Sequence, residues 1–219
     1  MPISHVSEHL HLYEYPNFLS PSECQQLLDI PLAQFKRGRT VDTGRATAEA
    51  VHDARTSTTL TLPADKQALF HQWVAERLPS VWYNNDHEPT QLARYTEGQK
   101  YDYHHDYFDE AALVSDNANA PKKQRTWTLL VYLHDVARQP TRRKRRTARR
   151  HKSHATGGAT HFGHADVDIT VQPKQGTAIL WHNLYADGTP NPKTLHAGKP
   201  LGKGCYKTIV TQWFLENSV

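Results

Sequence analysis

The spacing of hydrophobic and polar residues changes partway along the chain. In "PADKQALFHQWVAERL" the residues Leu69, Phe70, Trp73, Val74 and Leu78 recur at three- and four-residue intervals, the stripe of an amphipathic helix. Upstream, "SPSECQQLLDIPLAQF" offers Ser20 as an N-cap, Pro21 at the first helical position and Glu23 three residues after the cap. That capping-box pattern predicts a helix over about 21 to 28, ending near Pro31. From "QLARY" at 91 onward the period shortens. The segments "TWTLLVYL" (126 to 133), "DITVQP" (168 to 173), "TAILWH" (177 to 182) and "YKTIVTQWF" (206 to 214) are β-branched, aromatic and bounded by turn residues. Helices followed by strands predict a mainly β, α+β fold: a jelly-roll core with N-terminal helices packed on one sheet. No internal repeat is visible. A chain of 219 residues supports one sizeable core, so 1 to 219 is expected to form a single domain.

Composition alters this picture in three places. The apolar content of 37% is low, which implies a polar surface, and no stretch approaches the roughly 20 apolar residues of a membrane span. The amino-terminal "MPISHVSEHLHLYEYPNF" has neither a basic leader nor a continuous apolar run, so no secretory signal is expected, which favours the cytoplasm or nucleus over the endoplasmic reticulum. Two cysteines, Cys24 and Cys205, are too few for a disulfide scaffold and too far apart for a metal clip; they are expected to be ordinary small residues, with one long-range pair as the alternative. The charge is uneven. "RQPTRRKRRTARRHKSH", 138 to 154, carries nine Lys or Arg and no acid, and removing those charges takes the formal net charge from +4 to −5. Such a tract is expected to be a flexible surface insert, either without a specific partner or contacting nucleic acid, an acidic protein face or an import receptor.

Candidate chemistry centres on "EGQKYDYHHDYF", 97 to 108. Iron(II) oxygenases use two imidazoles and one carboxylate on one face of the metal, leaving the remaining positions open. On a strand, His104 and Asp106 project to the same face and His105 to the other. A His-x-Asp pair alone is weak in a chain with fifteen histidines, and "FGHAD" supplies a second pair, His164 and Asp166. Downstream of His104 lies "TLHAGKPLGKGCYKTIVTQWF", where His196 precedes a turn-rich segment and Lys207 then begins a strand. A third ligand and a cation are what a site chelating a dicarboxylate requires.

In this order, "YPNFLSPSECQQLL", "ARTSTTLTL", "ARYTEGQKYDYHHDYF", "TLLVYLHDV", "GGATHF", "VQPKQGTAILWHNL", "DGTPNPKTLHAGKPL" and "KTIVTQWF" resemble the prolyl 4-hydroxylases of the iron(II)- and 2-oxoglutarate-dependent dioxygenases, from about residue 10 to the end. The resemblance implies a cupin-like double-stranded β-helix. It implies His104, Asp106 and His196 as iron ligands, Lys207 as partner of the distal 2-oxoglutarate carboxylate, and Tyr95 and Thr160 as further cosubstrate contacts. Tyr101, Arg125 and Trp213 would line the substrate side, with Tyr103 and Tyr107 adding aromatic walls. Two departures are visible. The basic tract replaces a short acidic link and Ala159 stands where the family has glutamate, and "GCYKT" carries one residue more than the usual Gly-x-Lys-Trp.

The implied reaction consumes 2-oxoglutarate and dioxygen at Fe(II), with ascorbate as reductant, releases succinate and carbon dioxide, and hydroxylates peptidyl proline at C4. Proline-rich peptides suit aromatic-lined grooves because their extended shape is preformed. Two other readings stay open at this point: a same-fold oxygenase acting on nucleic acid or another protein side chain, and a non-catalytic jelly-roll binding module.

Overall fold

The computed structural model describes residues 4–38, 54–79, 86–113, 123–138 and 156–215. The basic stretch lies outside the described residues except at its first position. The strands are β1 (Ser4–Ser7), β2 (Leu12–Tyr15), β3 (Lys36–Arg37), β4 (Thr58–Thr61), β5 (Gln91–Tyr95), β6 (Tyr101–His104) and β7 (Arg125–Tyr132). They continue with β8 (Ala137–Arg138), β9 (Thr160–His164), β10 (Val167–Val171), β11 (Ala178–His182), β12 (His196–Gly198) and β13 (Cys205–Leu215). Helix α1 is Pro21–Leu28, α2 is Ala64–Arg77 and α3 is the short Glu110–Leu113. No helix among the described residues is long and apolar enough to cross a membrane.

The larger sheet has the order β1-β2-β11-β7-β13-β5-β4-β3, with β8 added beside β13; the smaller has the order β10-β9-β12-β6. Every pairing of named strands is antiparallel. The double-stranded β-helix expected from the sequence is thus present. The expected succession of helices and then strands is not: β1 and β2 precede α1, and β3 and β4 lie between α1 and α2. These early strands are two to four residues long, too short for period-two alternation to stand out in sequence.

Alternation in the long strands divides the interior into two layers. Leu129, Val131 and Leu133, with Ala178, Leu180, Val210 and Phe214, face the helices and pack against Leu27, Phe70, Trp73 and Val74. Leu130, Tyr132, Ile179, Trp181 and Ile209 face the other way and meet Phe162, Val167 and Val171 of the smaller sheet. The near-continuous apolar run of β7 therefore follows from burial on both faces. Cys24 belongs to the first layer and Cys205 to the second, and both are free and buried.

Helix α1 begins as its sequence predicts. Ser20 Oγ accepts from the Glu23 backbone N–H at 3.2 Å, and Glu23 Oε2 accepts from the Ser20 N–H at 2.7 Å. The other Glu23 oxygen pairs with Arg77 at 2.6 Å, tying the first turn of α1 to the last turn of α2. Ser20→Ala is expected to lower the unfolding free energy by about 1 kcal/mol in urea denaturation, with Ser20→Asn close to wild type.

Candidate metal centre

Strands β6 and β12 are neighbours, with His104 opposite His196. Asp106 lies two residues beyond β6, yet the alternation persists. One ligand atom from each of His104, Asp106 and His196 lies within 4.8 Å of the others. His105 turns away, with Nε2 3.1 Å from the Pro192 carbonyl and its ring stacked on Tyr107. The pair His164 and Asp166 closes a turn instead, where the Asp166 N–H donates to His164 Nδ1 and the Asp166 carboxylate lies 3.6 Å from Lys193 Nζ.

Hydrogen bonds fix the histidine tautomers. His104 Nδ1 is 2.8 Å from the Asp102 carbonyl and His196 Nδ1 is 2.9 Å from the Thr194 carbonyl. A carbonyl only accepts, so both Nδ1 atoms carry the proton and both Nε2 lone pairs are available for a metal. His104 Nε2 lies 3.7 Å from Asp106 Oδ1, and His196 Nε2 lies 3.8 Å from Asp106 Oδ2. Burial, reinforced by His196, pushes the His104 pKa down to about 3 against the opposing pull of Asp106, so its imidazole is neutral at neutral pH. Burial alone would raise Asp106; the neighbouring His196, His104 and Arg125 and a hydrogen bond from Thr128 outweigh it and hold the carboxyl below its ordinary value. Two neutral imidazoles and one carboxylate form a donor set suited to Fe(II).

Deeper in the same layer, Lys207, Ile209, Thr211 and Trp213 project at alternate positions of β13 into a cavity of about 40 Å³. Lys207 is 2% exposed. Its Nζ donates to the Gly158 carbonyl at 2.5 Å and lies 4.8 Å from the Tyr95 ring centre, and it has no carboxylate partner among the described residues. Burial alone depresses its pKa to about 7. Gly158 has φ +75°, and a Cβ there would come within 2.7 Å of Leu201 Cδ2 and 3.3 Å of Lys207 Cδ. The extra residue in "GCYKT" therefore leaves Lys207 in the inward register. Trp181 and Trp213 also line the cavity, and both indole N–H groups are buried without a partner among the described residues. A buried cation without a carboxylate partner among the described residues, lining the same cavity as His104, Asp106 and His196, fits a small dianion such as 2-oxoglutarate.

A larger cleft of about 620 Å³ shares Tyr101, His104, Asp106 and Trp213 with this cavity. Tyr101 stacks on His104 with ring centres 3.5 Å apart, and burial raises the pKa of its hydroxyl. Arg125 lines the cleft, but its donors are largely used. It pairs with both Glu88 oxygens at 2.6 and 2.7 Å, donates to the Asp106 carbonyl at 3.3 Å, and sits over Trp213 and Phe108. Tyr103 forms an exposed rim, its hydroxyl accepting from Lys199 and bonded to His161.

Tyr95 and Thr160 both line the small cavity. Sequence reasoning missed what orients Thr160: the buried Tyr132 hydroxyl donates to its Oγ1 at 2.7 Å. An inward tyrosine in an apolar strand looks like any core aromatic, so no signal marked it. Arg55 was also missed. It is buried in the wall shared by both cavities, bonded to Ser57 and Gln91 and lying over Tyr101.

Residues 90–215 match the model of the 2OG-Fe(II) oxygenase superfamily. The chain is 28% identical over 221 residues to Prolyl 4-hydroxylase 2 of Arabidopsis thaliana, covering 96% of this chain and 69% of that one. It is 27% identical over 243 residues to Prolyl 4-hydroxylase 13 of the same plant, covering 100% and 76%. Among solved structures, a viral collagen prolyl hydroxylase of Paramecium bursaria Chlorella virus-1, in a 2OG complex, superposes with a TM-score of 0.61 at 25% identity over 94% of this chain and 96% of that one. A Pseudomonas putida prolyl-4-hydroxylase shares the fold, with a TM-score of 0.56 at 16% identity over 94% and 93%. With the matched segment spanning the metal centre, the Lys207 cavity and most of both sheets, the chain belongs to the 2OG-Fe(II) oxygenase superfamily.

Proposed function

We propose that this chain is a prolyl 4-hydroxylase, with His104, Asp106 and His196 holding iron(II) and Lys207 holding the distal carboxylate of 2-oxoglutarate. The carrying observation is one cavity in which three ligand atoms within 4.8 Å of one another adjoin a buried ammonium that has no acidic partner among the described residues. With dioxygen, the iron and 2-oxoglutarate supply the oxidation of a C–H bond and yield succinate and carbon dioxide. The chain's own contribution is orientation. Lys207 fixes one end of the cosubstrate, with Tyr95 and Thr160 beside it. The His104 and His196 tautomers keep Nε2 toward the metal. Tyr101 and Trp213, shared by both cavities, set how near a substrate carbon approaches.

The proline assignment is supported by the names of the similar proteins and by the aromatic walls of the cleft, Tyr101, Tyr103, Tyr107 and Trp213. An extended proline-containing peptide offers apolar rings to such walls and little conformational entropy to lose. Ascorbate would keep the iron reduced. The chain would act as one domain carrying the basic stretch as an insert. No observation among the described residues favours the nucleic-acid reading or the non-catalytic module.

The test is succinate release from 2-oxoglutarate in air with iron(II) and ascorbate, with and without proline-rich peptides that are then weighed by mass spectrometry. A peptide-dependent rise with one oxygen added at proline is expected. Succinate with no modified peptide would remove the proline assignment and keep the oxygenase. His104→Ala and Asp106→Ala are expected to lose turnover while retaining the wild-type unfolding transition.

Lys207 adds a pH signature. Its folded pKa of about 7 lies below the ordinary lysine value of 10.5, so between these limits the folded chain binds fewer protons than the unfolded one. This group's contribution to stability therefore rises as pH climbs from about 7 towards 10.5 in the ligand-free chain. A bound dicarboxylate restores the ammonium. Titrating 2-oxoglutarate into Mn(II)-loaded protein at pH 8.5, in buffers of different ionisation enthalpy, is expected to show uptake of close to one proton, and Lys207→Met to show none.

A further inference from the structure

Beneath Asp106 lies a chain of buried polar side chains whose members the reaction does not otherwise need. Thr128 on β7 and Asn183, just past the end of β11, are both fully buried. Thr128 Oγ1 is 2.8 Å from Asp106 Oδ2, and Asn183 Nδ2 is 2.9 Å from Thr128 Oγ1. Polar groups so placed are costly unless each hydrogen bond is formed in a definite sense.

The sense is fixed by what each atom can do. An ionised carboxylate only accepts, so Thr128 gives its single proton to Asp106 Oδ2. Thr128 Oγ1 then has only lone pairs for its other neighbour, which must donate. That requires the amide nitrogen of Asn183 on this side. Backbone bonds hold Asn183 in place: its N–H donates to the Thr126 carbonyl at 2.8 Å, and its carbonyl accepts from the Asn191 N–H at 2.9 Å. The Arg125 bond to the Asp106 carbonyl fixes the other end of that residue. Of the two carboxylate oxygens, Oδ2 is already engaged by a hydroxyl proton, and Oδ1 receives no side-chain hydrogen bond among the described residues.

We propose that Asn183 and Thr128 form a directed pair of positioning residues that set the rotation of the Asp106 carboxylate, so that Asp106 offers the metal a single oxygen, Oδ1. This rests on the assignment of His104, Asp106 and His196 as the metal centre and adds which atoms aim the carboxylate. Neither residue touches the metal or either cavity. Their effect passes through Asp106 alone. A carboxylate free to rotate can offer both oxygens and occupy a position that cosubstrate or dioxygen would take.

The test is a Co(II) titration of the full chain, reading affinity and the intensity of the visible absorption, which reports coordination number. Thr128→Val keeps the volume and removes the proton; it is expected to weaken Co(II) binding about 10- to 100-fold and to change the absorption intensity. Thr128→Ser restores the hydroxyl and should return within about threefold of wild type. Asn183→Ala, which frees the Thr128 hydroxyl to turn, should fall between them. Wild-type affinity and spectrum in Thr128→Val, or an equal loss in Thr128→Ser, would overturn the proposal. If Thr128→Val does not fold, wild-type behaviour of Asn183→Ala would overturn it equally. A wild-type chain that binds Co(II) no better than His104→Ala would instead refute the metal centre itself.

Discussion

Everything at this centre depends on one antiparallel register, the pairing of β12 with β6 that sets His196 opposite His104. Cross-strand partners have Cβ atoms only about 5 Å apart, so two imidazoles meet by strand pairing alone, and a slip of one residue would turn one of them to the opposite face of the sheet. The third ligand arrives from the same local segment, two residues further on. The remaining structure preserves this register. β9 pairs with β12 on its other side, and the inner layer packs Phe162 and Trp181 against His196.

A second constraint is the lone ammonium of Lys207. Keeping it charged in the folded, ligand-free chain costs on the order of 5 kcal/mol, judged from a pKa depressed from 10.5 to about 7. Few single interactions in a domain of this size reach that magnitude. The fold tolerates it because β13 is the central strand of the larger sheet, bonded to β5 and β7 on either side. Stability supplied by the outer, helix-packed layer is thereby available to hold an unfavourable charge in the inner one.

Much of this was legible in the sequence. The long strands, both main helices and the capping box declare themselves through period and local chemistry, and the His-x-Asp pair gained its meaning from His196 and Lys207 downstream. Three kinds of feature were not legible. Strands of two to four residues, β1 to β4, carry too little alternation. The His196 strand has only three residues and is defined by its neighbours. Partners such as Glu88 for Arg125, Tyr132 for Thr160 and Asn183 for Thr128 sit on different strands or loops, and only the completed fold brings them within reach. The basic stretch, so visible in composition, lies outside the described residues beyond Arg138.

The position of Arg125 has a consequence for how such a protein can change over generations. This one side chain grips Glu88, covers Trp213 and Phe108, and reaches the carbonyl of Asp106. Two walls of the cleft and the aim of a metal-binding carboxylate are thus a single inherited unit. A mutation that reshapes the cleft there carries its effect to the metal centre as well. Tyr103 and Tyr107 stand outside that unit, on the rim, and share no hydrogen bond with it among the described residues. Lineages of this fold are therefore free to explore new guests at the rim while the interior wall stays fixed, so diversity among relatives should concentrate at the mouth of the cleft.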